Sequence, residues 1–150
     1  MIFIGIDPGA NGAMAVIQED DTYEFPFKQI SMTLISSMLE DYSDKRDCFA
    51  LIEKVHAMPG QGVVSTFNFG YNFGMLEGFL IGSGIPYDRV TPQKWQKNYG
   101  LFKLPGETHT DKKNRHKALA QKLFPDLKIT HATADALLIA EYARRTYDKE

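Results

Sequence analysis

Apolar residues fall along this chain in short blocks whose spacing changes from block to block. Met1–Asp7 is apolar up to a closing aspartate and reads as a buried strand. After the turn Pro8-Gly9-Ala10-Asn11, Gly12–Gln18 reads as a second strand, because Asn11-Gly12 tolerates the positive φ of a tight reversal. Thr22–Phe27 makes a third, closing an antiparallel meander. Ser31–Tyr42 then changes period: Met32, Ile35, Met38 and Leu39 recur at helical spacing and leave an acidic, polar outer face. Cys48–Glu53 is again a short apolar strand ending in a carboxylate. Val63–Gly84 is long and mostly apolar, which predicts a buried helix, and Tyr87–Thr91 is a fifth strand. Thr91-Pro92 supplies an N-cap with proline at the first helical position and opens a short helix through Trp95. Leu101–Thr110 reads as a loop, Asp111–Phe124 as a basic helix and Ala132–Tyr147 as a final amphipathic one.

Three strands in a meander, followed by strands alternating with helices, predict an α/β domain with a mixed five-stranded sheet flanked by helices. That order is the order of the ribonuclease H-like fold. The 150 residues fit one domain, and 43% hydrophobic residues suffice for one core. No apolar run approaches the roughly 20 residues that span a bilayer. The start of the chain lacks the basic region and long apolar stretch of a signal peptide. With one cysteine, Cys48, in an apolar run, this points to a packed thiol in a reducing cytoplasm.

Charge alters the picture only when it is mapped. The net charge of −2 argues weakly against a polyanionic partner. Residues 1–93, however, hold five Lys/Arg against twelve Asp/Glu, whereas residues 94–117 hold seven basic residues against Glu107 and Asp111. A basic stretch of this kind steers polyanions more than net charge does, although a solvated basic face would read the same way.

The chemistry-bearing candidates are acidic. Asp7 closes the first strand ahead of Pro8-Gly9, and Glu53 closes the fourth. Asp135 stands near the start of the last helix. Each has an ordinary reading: a turn-forming aspartate, an ion pair with Lys54, a helix-dipole partner. If the first and fourth strands are parallel neighbours, Asp7 and Glu53 leave the sheet at one edge. Two carboxylates about 5 Å apart repel by about 3 kcal/mol at an effective dielectric near 20, so three converging acids call for cations or protons. Oxygen ligands suit Mg²⁺ or Mn²⁺, and a pair of such ions about 3.5–4 Å apart can activate water and stabilise the leaving oxygen of a phosphodiester. No cysteine cluster offers a zinc site.

Four ordered segments, Ile4-Gly5-Ile6-Asp7-Pro8-Gly9, Ile52-Glu53-Lys54-Val55, Val90-Thr91-Pro92 and Ala134-Asp135-Ala136-Leu137, resemble the motifs of RuvC-type Holliday-junction resolvases. The resemblance is nearest to compact, phage-encoded versions and covers almost the whole chain. It implies a homodimer acting in the cytoplasm. Such an enzyme cuts two opposing strands of a four-way DNA junction and leaves 5′-phosphate ends, with two Mg²⁺ ions that Mn²⁺ can replace. The implied ligands are Asp7, Glu53 and Asp135. Many bacterial members carry a fourth acid or a histidine three residues before the final aspartate. Here that position is Ala132, so His131, one turn from Asp135 on the same helical face, is the candidate fourth ligand or proton-transfer group.

Beside this site Lys112 is the candidate phosphate or transition-state contact, with Lys113 its close competitor. Lys103, Arg115 and Lys117 complete the expected DNA-binding set. His56 holds the place of an aromatic residue that, in relatives, stacks on an opened base; a structural loop is the alternative. Phe67, Phe69, Tyr71 and Phe73 suggest either base stacking or, preferably, core packing. Gly70, Gly74, Gly78 and Gly82 form a stripe that faces either a dimer interface or the chain's own sheet. Two rival functions stand beside the nuclease. A non-catalytic junction-binding protein would share the fold, and an actin or sugar-kinase type phosphotransferase would also begin with a strand and Asp-x-Gly. The phosphotransferase needs two domains and a second phosphate loop.

Overall fold

A computed structural model describes residues 1–54 and 56–148. Its elements follow the order β1 (Ile2–Asp7), β2 (Ala13–Gln18), β3 (Asp21–Pro26), α1 (Met32–Lys45), β4 (Cys48–Glu53), α2 (Val63–Gly82), β5 (Tyr87–Val90), α3 (Pro92–Asn98), α4 (His109–Leu123) and α5 (His131–Tyr147). The expected elements are all present, with ends displaced by a few residues at most. Val55, which closes the second resemblance motif, lies outside the described residues.

The five strands form one mixed sheet in the order β3-β2-β1-β4-β5. β1, β2 and β3 are an antiparallel meander, while β4 and β5 run parallel to β1. The architecture is the ribonuclease H-like α/β fold that the element order predicts. Strand alternation divides the core between the two faces. Ile2, Ile4 and Ile6 of β1 join Ala50 and Ile52 of β4 against Ile35 and Leu39 of α1 and Leu76 and Leu80 of α2. Phe3 and Leu51 point the other way, toward Trp95 of α3, Ala120 of α4 and the long buried face of α5.

Gly5 sits between Phe3 and Asp7 on that second face. A methyl group there would collide with the backbone of Ala136 and Ala140, so the missing side chain lets α5 lie directly on β1. Ala136, Ala140 and Ala143 complete the close approach from the helix side, each fully buried.

α2 departs from its predicted burial. Only Leu76 and Leu80 of its 20 residues are buried, while Val63, Phe67 and Tyr71 are 86%, 70% and 61% exposed. Core packing is therefore wrong for Phe67 and Tyr71, although Phe69 and Phe73 are half-buried. Among the described residues, nothing lies within 4 Å of a side chain built at Gly70, Gly74, Gly78 or Gly82. The stripe thus faces away from the sheet. A helix apolar on most sides reads as buried whichever molecule covers it, so the pattern could not tell one cover from the other. No helix among the described residues is long and apolar enough to cross a membrane.

Candidate active site

Register brings the first two acids together. β1 and β4 pair from Ile2 with Cys48 to Ile6 with Ile52, and one step further sets Asp7 beside Glu53 at the C-terminal edge of both strands. Asp7 shares the parity of Phe3, and Glu53 that of Leu51, so both carboxylates lean to the α5 face. Asp135 occupies the first turns of α5, above the point where that helix meets β1.

The local chain holds Asp7 in place. Gly9 N–H donates to its Oδ1 at 3.2 Å, and Gly12 N–H closes the turn on Gly9 O at 2.9 Å. A side chain at Gly12 would strike the carbonyl of Asp7, which explains a glycine there beyond its use in the turn.

Electrostatics mark the three acids as one cluster. Burial, then the charge of Asp135, pushes Asp7 up to about 6, against relief from the Gly9 amide and Lys113. Burial, then Asp7, pushes Glu53 up to about 8; the Trp95 hydrogen bond and Lys112 work in the opposite direction. Such shifts are what uncompensated negative charge produces in a poorly solvated place. Among the described residues no three His, Cys, Asp or Glu side chains are gathered tightly enough to hold an ion as they stand. The donor set nonetheless fits a hard divalent cation, since three carboxylates supply the oxygen ligands it takes and the nearby lysines leave Asp7 and Glu53 still above the ordinary carboxylate range.

The partners of the acids differ from the simple expectations. Glu53 does not pair with Lys54; its Oε2 accepts from Trp95 Nε1 at 2.7 Å. Asp135 Oδ1 lies 2.8 Å from Nδ1 of His116, a residue absent from the predicted set. His131 lines the same cleft as Asp7 and Asp135, but its Nε2 is 2.8 Å from Oδ1 of Asn114. The signal for His116 was weak. It sits inside the basic run, and only the crossing of α4 over α5 brings it to Asp135.

A cleft of about 430 Å³ opens over Asp7 and Asp135, lined by them with Lys113, His109, His116 and His131 and the turn at Gly9–Gly12, while Glu53 lies outside its lining. Phe69 reaches its wall from α2. Lys112 acts on Glu53 and Lys113 on Asp7, so the two competing lysines both bear on the site, one per strand end. Arg115 is otherwise engaged. Its Nη1 donates to Glu107 Oε1 at 2.7 Å and to the carbonyl of Phe102 at 3.0 Å, pinning the loop before α4. Lys103 and Lys117 lie outside the cleft lining, Lys103 exposed and Lys117 half-buried, and His56 is exposed shortly after β4.

Comparison with known proteins places this geometry. No family model matches the sequence. Over 101 residues, 63% of the chain, it is 30% identical to the chloroplastic Holliday junction resolvase MOC1 of Chlamydomonas reinhardtii. The match spans only 11% of that longer relative. Among solved structures, RuvC of T. thermophilus in complex with a Holliday junction substrate superposes with a TM-score of 0.62, covering 98% of this chain and 96% of that one at 14% identity. RuvC of Thermus thermophilus in a second structure gives 0.56, with 97% and 96% covered, again at 14% identity. Identity at that level carries architecture rather than chemistry, and the architecture is plain: this chain has the ribonuclease H-like fold of RuvC.

Proposed function

We propose that the chain is a Mg²⁺-dependent endonuclease that resolves four-way or similarly branched DNA as a homodimer, leaving 5′-phosphate ends. The observation that carries this reading is the gathering of Asp7, Glu53 and Asp135 at one sheet edge, with Lys112 and Lys113 beside them. The near full-length likeness to RuvC supports it. Asp7, Glu53 and Asp135 would hold the metal, Mn²⁺ serving in place of Mg²⁺. When bound, two such ions supply an activated water and a counter-charge for the leaving oxygen.

The chain's own residues do the rest. The turn at Gly9–Gly12 keeps backbone close to the acids and leaves the cleft open for a sugar–phosphate strand. Lys113, on the cleft wall, offsets charge beside Asp7 and offers a cation to the phosphoryl oxygens, as Lys112 does beside Glu53. Asn114 Oδ1 accepts from His131 Nε2–H, which leaves Nδ1 as the nitrogen able to serve as a fourth ligand or take a proton. Lys103, Arg115 and Lys117 would extend the positive surface along the DNA, and His56 would meet a base next to the cut. The outward face of α2, with Phe67, Tyr71 and its four glycines, is the surface on which a second copy would pack.

Cleavage of a synthetic four-way junction in Mg²⁺ or Mn²⁺ tests the reading, with duplex, flap and three-way substrates alongside. Asp7→Asn and Glu53→Gln should bind the junction and fail to cut it. Cutting at the wild-type rate by both variants would remove the assigned acids. Binding without cleavage by the wild type under every metal condition would leave a junction-binding protein of the same fold. Normal activity in His131→Ala would exclude His131, and a gain in Ala132→Asp would point to the neighbouring position instead.

A further inference from the structure

Two buried side chains outside the acid set each bond to one of its members. Trp95 is 0% exposed, and its Nε1–H donates to Glu53 Oε2 at 2.7 Å. His116 is 5% exposed, and its Nδ1 meets Asp135 Oδ1 at 2.8 Å. The two rings are also in contact with each other, edge to face, with centroids 5.5 Å apart. A continuous path therefore runs from Glu53 through an indole and an imidazole to Asp135, joining strand β4 to helix α5 by way of α3 and α4.

Core packing alone does not account for this path. A buried indole needs a partner for its N–H, but a backbone carbonyl would serve as well as a strand-end acid. His116 is the harder case. A carboxylate oxygen accepts, so the imidazole donates through Nδ1, and this leaves Nε2 buried with no partner among the described residues. An aliphatic side chain would fill the place without that orphan atom, whose burial carries a desolvation cost. What the imidazole supplies and an aliphatic group does not is the bond to Asp135.

We propose that Trp95 and His116 are positioning residues, a buried brace that fixes the rotamers of Glu53 and Asp135 for divalent-metal binding without itself touching metal or DNA. The inference rests on the metal-site reading above and adds the source of the ligands' orientation. Groups that hydrogen-bond to metal ligands act in this way generally: they reduce the ordering that binding must impose.

The test is Mn²⁺ binding by the whole chain without DNA, read from the free Mn²⁺ signal in electron paramagnetic resonance. Trp95→Phe keeps the ring and loses the N–H; His116→Ala loses the donor, and His116→Asn restores an amide N–H near the place of Nδ1. Trp95→Phe and His116→Ala should each weaken Mn²⁺ binding by about tenfold, and His116→Asn should recover most of that loss. A purely structural role would not be rescued in this pattern. Wild-type affinity in folded Trp95→Phe and His116→Ala overturns the brace. If His116→Ala does not fold, Trp95→Phe and His116→Asn decide: unchanged affinity in the first, or loss of affinity in both, overturns it. Because Trp95 is the chain's one tryptophan, Mn²⁺ should also quench the wild-type emission with the same midpoint. Asp7→Asn separates the two claims. If it binds Mn²⁺ like wild type, the three-acid site is wrong and the brace falls with it. If it loses Mn²⁺ while the brace variants keep it, only the brace is wrong.

Discussion

Asp7 and Glu53 are held where the fold disfavours their charge, and a single substitution should expose that tension. In Asp7→Asn one member of the repelling set becomes neutral, and the Gly9 N–H can still donate to the amide oxygen. The metal-free variant should melt higher than wild type at pH 8, while junction cleavage falls by at least about a hundredfold, more than loss of an outer hydrogen-bond partner costs. Differential scanning calorimetry in EDTA and the cleavage assay check the two halves; a lower melting temperature would show that Asp7 stabilises the fold. The acids were legible in the sequence because each closes an apolar strand or opens a helix, and register did the rest. His116 was not. Its contact with Asp135 spans 19 residues and depends on the crossing of two helices, which no local pattern encodes. Proximity in sequence favoured His131, which does reach the cleft but faces Asn114.

At the scale of elements, α5 on β1 and the outward face of α2 make opposite demands on glycine. Gly5 is filled by the backbone of α5, so Gly5→Ala should cost on the order of 1–3 kcal/mol and shift the helix that carries Asp135. Denaturant melts should show the loss, and activity should fall further than stability does. Gly74 has open space around it, so Gly74→Ala in the same melts at low concentration should stabilise the chain by about 0.5–1 kcal/mol through helix propensity. If a second copy packs on this face, the same substitution should weaken association in sedimentation velocity. Stabilisation with unchanged association would place the dimer contact elsewhere. The strand and helix boundaries came readily from the apolar pattern, because β1, β2 and β4 are short apolar runs buried on both faces and α1 buries one face against the sheet. α2 did not, because its apolar residues surround the helix and period alone cannot say what covers them.

Over the whole molecule, the acid cluster should dominate how stability responds to pH. An acid whose pKa is higher in the fold than in the open chain binds its proton more tightly when folded, so stability falls as pH climbs between the two values. For Asp7 that interval runs from 3.8 to about 6, and for Glu53 from 4.5 to about 8. Glu77, Glu107 and Asp111 behave in the reverse sense. Their hydrogen bonds to Arg89, Arg115 and Thr108 lower the pKa, and the resulting stability is fully present above the ordinary carboxylate values of 4.5, 4.5 and 3.8. Above about pH 5 their contribution is constant, which leaves the site acids to set the slope. Metal-free protein should therefore lose melting temperature steadily from pH 5 to pH 8. A chain of this size moves by roughly 2–4 °C per kcal/mol. On the proposed reading Mg²⁺ would bind the deprotonated acids, so its stabilisation should be small at pH 5 and grow through the same interval. Glu53→Gln should flatten the metal-free slope above about pH 7, where Asp7 is almost fully ionised in the fold and Glu53 is not. A wild-type melting temperature that rises toward pH 8 in EDTA, or a Mg²⁺ effect as large at pH 5 as at pH 8, would mean that these carboxylates are not the repelling, metal-seeking cluster their placement implies.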